Sequence, residues 1–215
     1  MSATVINPLA TPSPSRRGTI ALLSIASAIA IVFFVGAAVP YLVSPGYNAV
    51  EYTGRRGALL VHIAAGAVAL FAGPIQLWLG IADRRIDLHR RLGVIYITAV
   101  VIGAMAAYVL AVKPSAGWVF GAGLAGLATA WLATTGLAFT AIRRSLVEQH
   151  KEWMIRSYVV TFAFVTFRIM DVVLQKLQVG TAQEDATIMA WAAWAVPLLV
   201  TEMILQGRKI LAVAR

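Results

Sequence analysis

The sequence predicts an all-α integral membrane protein, a single bundle of about six transmembrane helices with both termini on the cytoplasmic side. Three observations predict it. Apolar residues make up 60% of the 215-residue chain and charged residues only 13%, about half the share of an average soluble domain. Apolar runs of roughly 20 residues, long enough to cross about 30 Å of hydrocarbon at 1.5 Å per residue, recur until they fill most of the chain. The basic residues gather in the links on one side of those runs.

Taken in order, residues 1–17 are rich in Pro, Ser and Thr, end in Arg16-Arg17, and have nothing to bury, so they are expected to form a disordered cytoplasmic tail. Residues 18–215 read as one transmembrane domain. The first apolar run, 18–43, is longer than the 7–15 residues of a signal-peptide core, so it is read as a span. The others lie at 57–81, 92–112, 117–141, 157–177 and 187–206. Short links between them force antiparallel neighbours, and no run alternates with a period of two as a barrel strand would. The 44–56 segment, with Pro45, Gly46, Gly54 and Arg55-Arg56, reads as a periplasmic loop, with a re-entrant helix as the alternative.

The net charge of +9 would suggest nucleic acid in a soluble protein, but here the cations sit in clusters between apolar runs. They report topology. One side holds Arg16, Arg17, Arg84, Arg85, Arg90, Arg91, Arg143, Arg144, Lys151, Arg156, Arg208, Lys209 and Arg215; the other holds Arg55, Arg56, Lys113 and Lys176, and Arg168 falls inside a span. By the positive-inside rule the richer side is cytoplasmic, in a bacterial inner membrane. The chain has no cysteine, which excludes disulfides, thiolate catalysis, iron–sulfur clusters and Cys-ligated zinc. It has no phosphate-cradling loop, nucleophile elbow or HExxH, so hydrolase and NTPase classes lack support.

Histidine is scarce enough to be informative. His62 lies about five residues into the second run, while His89 and His150 sit at the cytoplasmic mouths of the third and fifth. Two imidazoles at one depth on different helices are what six-coordinate haem ligation requires, so His89 and His150 are candidate axial ligands of one b-type haem. Arg90, Arg91 and Arg156 are placed to pair with its propionates. The stripe His89, Gly93, Tyr96, Val100, Gly103, Ala107 keeps helical spacing, with small residues that would let a macrocycle or another helix come close.

A second candidate site is buried and polar. His62, Gly66, Ala69, Gly73, Gln76 and Gly80 share a face of the second run, where Pro74 should free a backbone carbonyl for a neighbour or a bound group. In the fifth run Ser157, Thr161, Arg168, Asp171 and Gln175 form one stripe expected to face the interior. Arg168 and Asp171, three apart, can pair, and an ionisable residue at this depth marks a functional site or a tight ion pair. Glu202 is expected to be neutralised by Arg208 or Lys209. The tryptophans, Trp131 included, are read as interfacial and given no chemistry.

The pattern of His62, Gly73-Pro74-Ile75-Gln76, His89-Arg90-Arg91-Leu92-Gly93-Val94-Ile95-Tyr96, His150-Lys151-Glu152-Trp153-Met154-Ile155-Arg156-Ser157 and Arg168 resembles an uncharacterised bacterial family of predicted multipass membrane proteins, the domain of unknown function numbered 2306. The resemblance covers about 57–175, a four-helix core, and implies a membrane unit without implying an activity. A looser likeness to b561-type membrane cytochromes implies b haems held between helices. The chain departs from that pattern, since two haems need four histidines and it has three.

The leading functional expectation is therefore a membrane redox component with one b-type haem and a quinone-like ligand near His62 and Arg168. Two rivals from other classes stand beside it. One is a non-enzymatic helical subunit or assembly factor of a larger membrane complex, its polar stripe joining helices. The other is a small-solute or proton transporter using His62, Arg168 and Asp171. All three partner the lipid bilayer, and none involves nucleic acid.

Overall fold

A computed structural model describes residues 16–44, 46–47, 52–82, 85–178 and 180–213. Most of the expected N-terminal tail lies outside the described residues, and Arg16 and Arg17 already belong to the first helix. The elements are α1 (Arg16–Ala37), α2 (Val39–Val43), α3 (Arg56–Ala82), α4 (Ile86–Ala111), α5 (Trp118–Arg143), α6 (Val147–Thr161), α7 (Ala163–Leu177) and α8 (Ala182–Val213). Among the described residues, five helices are each long and apolar enough to cross a membrane, and α6 with α7, bent by 40°, makes a sixth candidate span.

The fifth span is thus not the straight helix expected. It breaks at Phe162 without a proline or glycine. Thr161 Oγ1 returns a hydrogen bond to the Ser157 carbonyl at 2.9 Å, a back-bond that bends helices. The same oxygen is also held by neighbouring helices. The helices otherwise run longer than their apolar cores. α4 opens at Ile86, before the expected Leu92, so His89 lies in its first turn. α8 begins behind a capping box in which Thr181 N–H donates to Glu184 Oε2 and Glu184 N–H donates to Thr181 Oγ1.

α3 packs on α4, α4 on α5, α5 on α6, and α6 returns to α3, closing a four-helix ring. α8 covers α5, α6 and α7, while α1 lies along α3 and α7. The core is made of small residues and a few large ones. Ala69, Ala99, Val100, Ala104, Ala128, Tyr96, Trp131 and Val160 form its main cluster. Lipid tails are as apolar as leucine, so this close approach is held by dispersion and by interhelical hydrogen bonds instead of by exclusion of water.

Pro74 shows how such bonds are placed. Within α3 it cannot donate to the carbonyl of Leu70, four residues back. The Tyr158 hydroxyl donates to that oxygen from α6 at 3.2 Å. Gly73 makes it possible, because a Cβ there would run into the Tyr158 ring. The carbonyl freed by proline is used by a neighbouring helix.

Candidate functional site

The structure brings the sequence candidates into two places at opposite ends of the bundle, with a buried hydroxyl cluster between them. At one end, His89 and His150 are each the fourth residue of their helix, α4 and α6. Those helices face each other across the ring. The two imidazole centres are 6.4 Å apart, with their planes at 84°. His150 Nδ1 lies 2.9 Å from the Ala138 carbonyl. A carbonyl only accepts, so Nδ1 is the donor, and in the neutral tautomer that fits this contact Nε2 carries the lone pair. The His89 ring rests against Gly80, and Gln76 Nε2 donates to the His89 carbonyl at 2.7 Å. Among the described residues, His89 Nδ1 and Gln76 Oε1 are buried without a hydrogen-bond partner.

The other residues expected at this cofactor are arranged differently. Arg90 and Arg91 are exposed at the same mouth. Arg156, expected at the propionates, is buried and engaged, with Nη2 2.6 Å and Nε 2.7 Å from Glu202. It also lies 3.7 Å from Glu152 and over the Trp153 ring. Glu202 therefore takes its cation from α6, whereas Lys209, one of the two residues expected to neutralise it, pairs with Glu152 at 2.7 Å. The small-residue stripe of α4 is filled by helices: a Cβ on Gly93 would press on Gln76 Nε2, and one on Gly103 would press on Trp131.

Tyr96, the third member of that stripe, anchors the hydroxyl cluster. Its OH lies 2.8 Å from Ser157 Oγ and 2.7 Å from Thr161 Oγ1. Thr161 receives the Trp131 Nε1 proton at 2.8 Å and gives its own to the Ser157 carbonyl. With that hydrogen used, Tyr96 must donate to Thr161, Ser157 to Tyr96, and Thr135 to Ser157 at 2.7 Å. Every hydroxyl is satisfied in this one sense, across three helices. Trp131, read from sequence as interfacial, is buried at the middle of the bundle. Its signal was available in the two threonines that follow it, Thr134 and Thr135, which are polar residues in the middle of an apolar run.

At the other end, between the spans and the α4–α5 link, lies a cavity of about 300 Å³ lined by residues from α1 through α8. His62 and Arg168 both line it, as do Arg55 and Lys113, which were not anticipated, and its inner end reaches Trp131 and Thr161. His62 Nδ1 lies 2.9 Å from the Gly103 carbonyl, which again leaves Nε2 for another partner. Arg55 Nη1 donates to the Leu110 carbonyl at 2.9 Å.

Arg168 is held loosely. Its Nη1 is 3.8 Å from Asp171, longer than the roughly 2.7–2.9 Å of a charge-assisted hydrogen bond, and its Nε is buried without a partner among the described residues. The guanidinium lies 5.8 Å and 5.7 Å from the centres of the Phe164 and Phe167 rings. Gln175, at the outer end of the expected stripe, is exposed and donates to Asp171. The bend at Phe162 separates the buried Ser157 and Thr161 from this outer half. Eighteen residues of α3 separate His62 from Gly80, which faces His89, so the two ends are about 27 Å apart at 1.5 Å per residue.

A family model described as a predicted membrane protein (DUF2306) matches residues 59–205. No curated protein and no solved structure matches the chain.

Proposed function

This chain belongs to the DUF2306 family of predicted membrane proteins, and on that premise we propose that it is a redox component of the bacterial inner membrane in which His89 and His150 hold one b-type haem. The observation that carries the reading is the spacing of the two rings. Two imidazole nitrogens bonded to one metal ion at about 2 Å each put their ring centres roughly 6 Å apart, close to the 6.4 Å between His89 and His150.

The surroundings of the pair support the reading. His150 is oriented by the Ala138 carbonyl, the outer-shell partner usual for a metal-bound imidazole. Among the described residues the buried His89 Nδ1 makes no hydrogen bond within 3.5 Å, with the Gln76 backbone its near polar neighbour. Arg90 and Arg91 are exposed beside His89 and can pair with acidic groups of a ligand at that mouth. Tyr96 and Arg156 are assigned no role at it, because the Tyr96 hydroxyl and the Nε and Nη2 of Arg156 are engaged within the protein. Haem, when bound, supplies one-electron transfer. The 13-to-4 distribution of basic residues supports a cytoplasmic position for this end. The quinone-like ligand expected near His62 and Arg168 is left out of this reading, because the cavity there offers three cations and a histidine, which suit an acid better than a neutral ring.

The test is an absorption spectrum of protein purified from haem-replete cells, with haem content per chain. Soret and α bands near one haem per chain are expected, lost in both His89→Ala and His150→Ala and kept in His62→Ala. A colourless preparation, or an unchanged low-spin spectrum in His89→Ala, overturns the assignment.

A further inference from the structure

We propose that the cavity at the α4–α5 end of the bundle is a binding site for a single-chain amphiphile with an acidic head group, such as a free fatty acid. This inference stands apart from the histidine pair at the other end and does not need haem.

The shape indicates a narrow apolar guest. Trp131 lies 13 residues into α5, so the space reaches about 20 Å inward from the link that forms its mouth. Its inner part is walled by Leu127, Val160, Phe164 and Trp131. At about 300 Å³ it sits at the lower end of the roughly 300–1,000 Å³ typical of small-ligand sites, which suits one hydrocarbon chain and is small for a two-chain lipid.

The charges select the head. Arg55, Lys113 and Arg168 are the charged side chains among the described lining residues. Arg55, just before α3 and bonded to the Leu110 carbonyl, and Lys113, in the α4–α5 link, line its outer end. Arg168 reaches the cavity from α7 with its Nε unpartnered and its carboxylate neighbour at 3.8 Å, so it has donors in reserve for an anion. His62, fixed through Nδ1 by the Gly103 carbonyl, also lines the cavity and has Nε2 left to offer. A carboxylate or phosphate would give the Arg168 guanidinium an acceptor beside His62, while its chain lies against the apolar walls. A neutral lipid would leave the cations as they are.

The experiment uses the full chain in phosphatidylcholine nanodiscs and a dodecanoic acid carrying a diazirine, with the matching alcohol as neutral control. Saturable labelling of α3 or α5 peptides by the acid, at least ~10-fold above the alcohol, is expected. Arg168→Leu should bring the acid down to the level of the alcohol, and Arg168→Lys should retain part of the difference. Gly66 lines the cavity and a Cβ on it meets nothing within 4 Å, so Gly66→Leu should enter the open space and abolish labelling. Leu127→Trp serves as a second plug if that variant does not purify as a folded protein. Competition by dodecanoate or by dodecyl phosphate identifies the preferred acid. Equal labelling by acid and alcohol would mean that bilayer chains fill the space, and would overturn the proposal. So would undiminished labelling of Arg168→Leu or of both plugged variants, or failure of both acids to compete.

Discussion

Arg156 and Arg168 lie on the two halves of one bent span, and the protein treats them in opposite ways. Arg156 is buried with Glu202 at 2.6 Å, Glu152 at 3.7 Å and the Trp153 ring at its face. Arg168 has one carboxylate at 3.8 Å and, among the described residues, no partner for its Nε beside the cavity, whereas the one Arg156 atom without a hydrogen bond, Nη1, still faces Glu152. The same contrast holds between the two ends of the bundle. Around Arg156, α6 and α8 are tied by ion pairs that reach Lys209; around Arg168, the helices stand apart and leave about 300 Å³. A cation within a membrane span costs about 2.5–3.5 kcal/mol on insertion scales. Arg156 recovers this through partners in the chain. Arg168 does so only in part, so ion pairing explains the first residue and leaves room for a ligand at the second.

The largest effect expected from probing this contrast is all-or-none. Alkaline phosphatase fused after Lys113 should be active, and fused after Leu146 it should be inactive, because the cavity end is expected to face the periplasm and the His89–His150 end the cytoplasm. The reverse pattern would exchange the compartments of the two sites.

Next in size is the tight contact of α3 with α6. Gly73→Leu would displace the Tyr158 ring and strand the Leu70 carbonyl. Overpacking of about 1–3 kcal/mol adds to a similar cost for the lost partner, so a destabilisation of roughly 2–5 kcal/mol is expected in thermal unfolding in detergent. Gly136→Leu, where a Cβ meets nothing within 4 Å, is the control and should unfold like the native chain. If both variants behave alike, the close packing of this region is not what holds it.

The smallest effect sharpens the comparison directly. Arg156→Leu should cost about 1–2 kcal/mol, since it strips Glu202 of its interhelical partner, whereas Arg168→Leu should stay within about 0.5 kcal/mol. Equal losses in the two variants would show that Arg168 is a structural ion pair like Arg156. Adding Asp171→Leu to Arg168→Leu should then restore stability, as removing both members of a buried pair often does.

Much of the architecture was legible in the chain. The apolar runs mark the spans because hydrocarbon accepts only a self-satisfied backbone, and the structure keeps them, extending several past their apolar cores. The shared end of His89 and His150 was legible too, from their place just before two runs. The carbonyl freed by Pro74 was anticipated, but Tyr158 as its partner was not, since a residue 88 positions away leaves no local trace. Glu202 was assigned to its nearest cations in sequence, yet it binds Arg156, because α8 lies against α6 and the short route through space is not the short route along the chain.

By itself, then, the sequence determined an all-helical membrane protein, its family, and which few polar residues had to be accommodated in lipid. Those follow from composition, run length and local spacing, all of which act through neighbours in the chain. Tertiary structure decided the rest: the bend at Phe162, the hydroxyl cluster around Tyr96, and the meeting of His62 with Arg168 at one cavity. Each depends on which helix faces which. Nearly uniform apolar helices carry little information about that, because lipid solvates their surfaces as well as another helix does. The choice of neighbours falls to a few small residues and hydrogen bonds whose two ends lie on different helices.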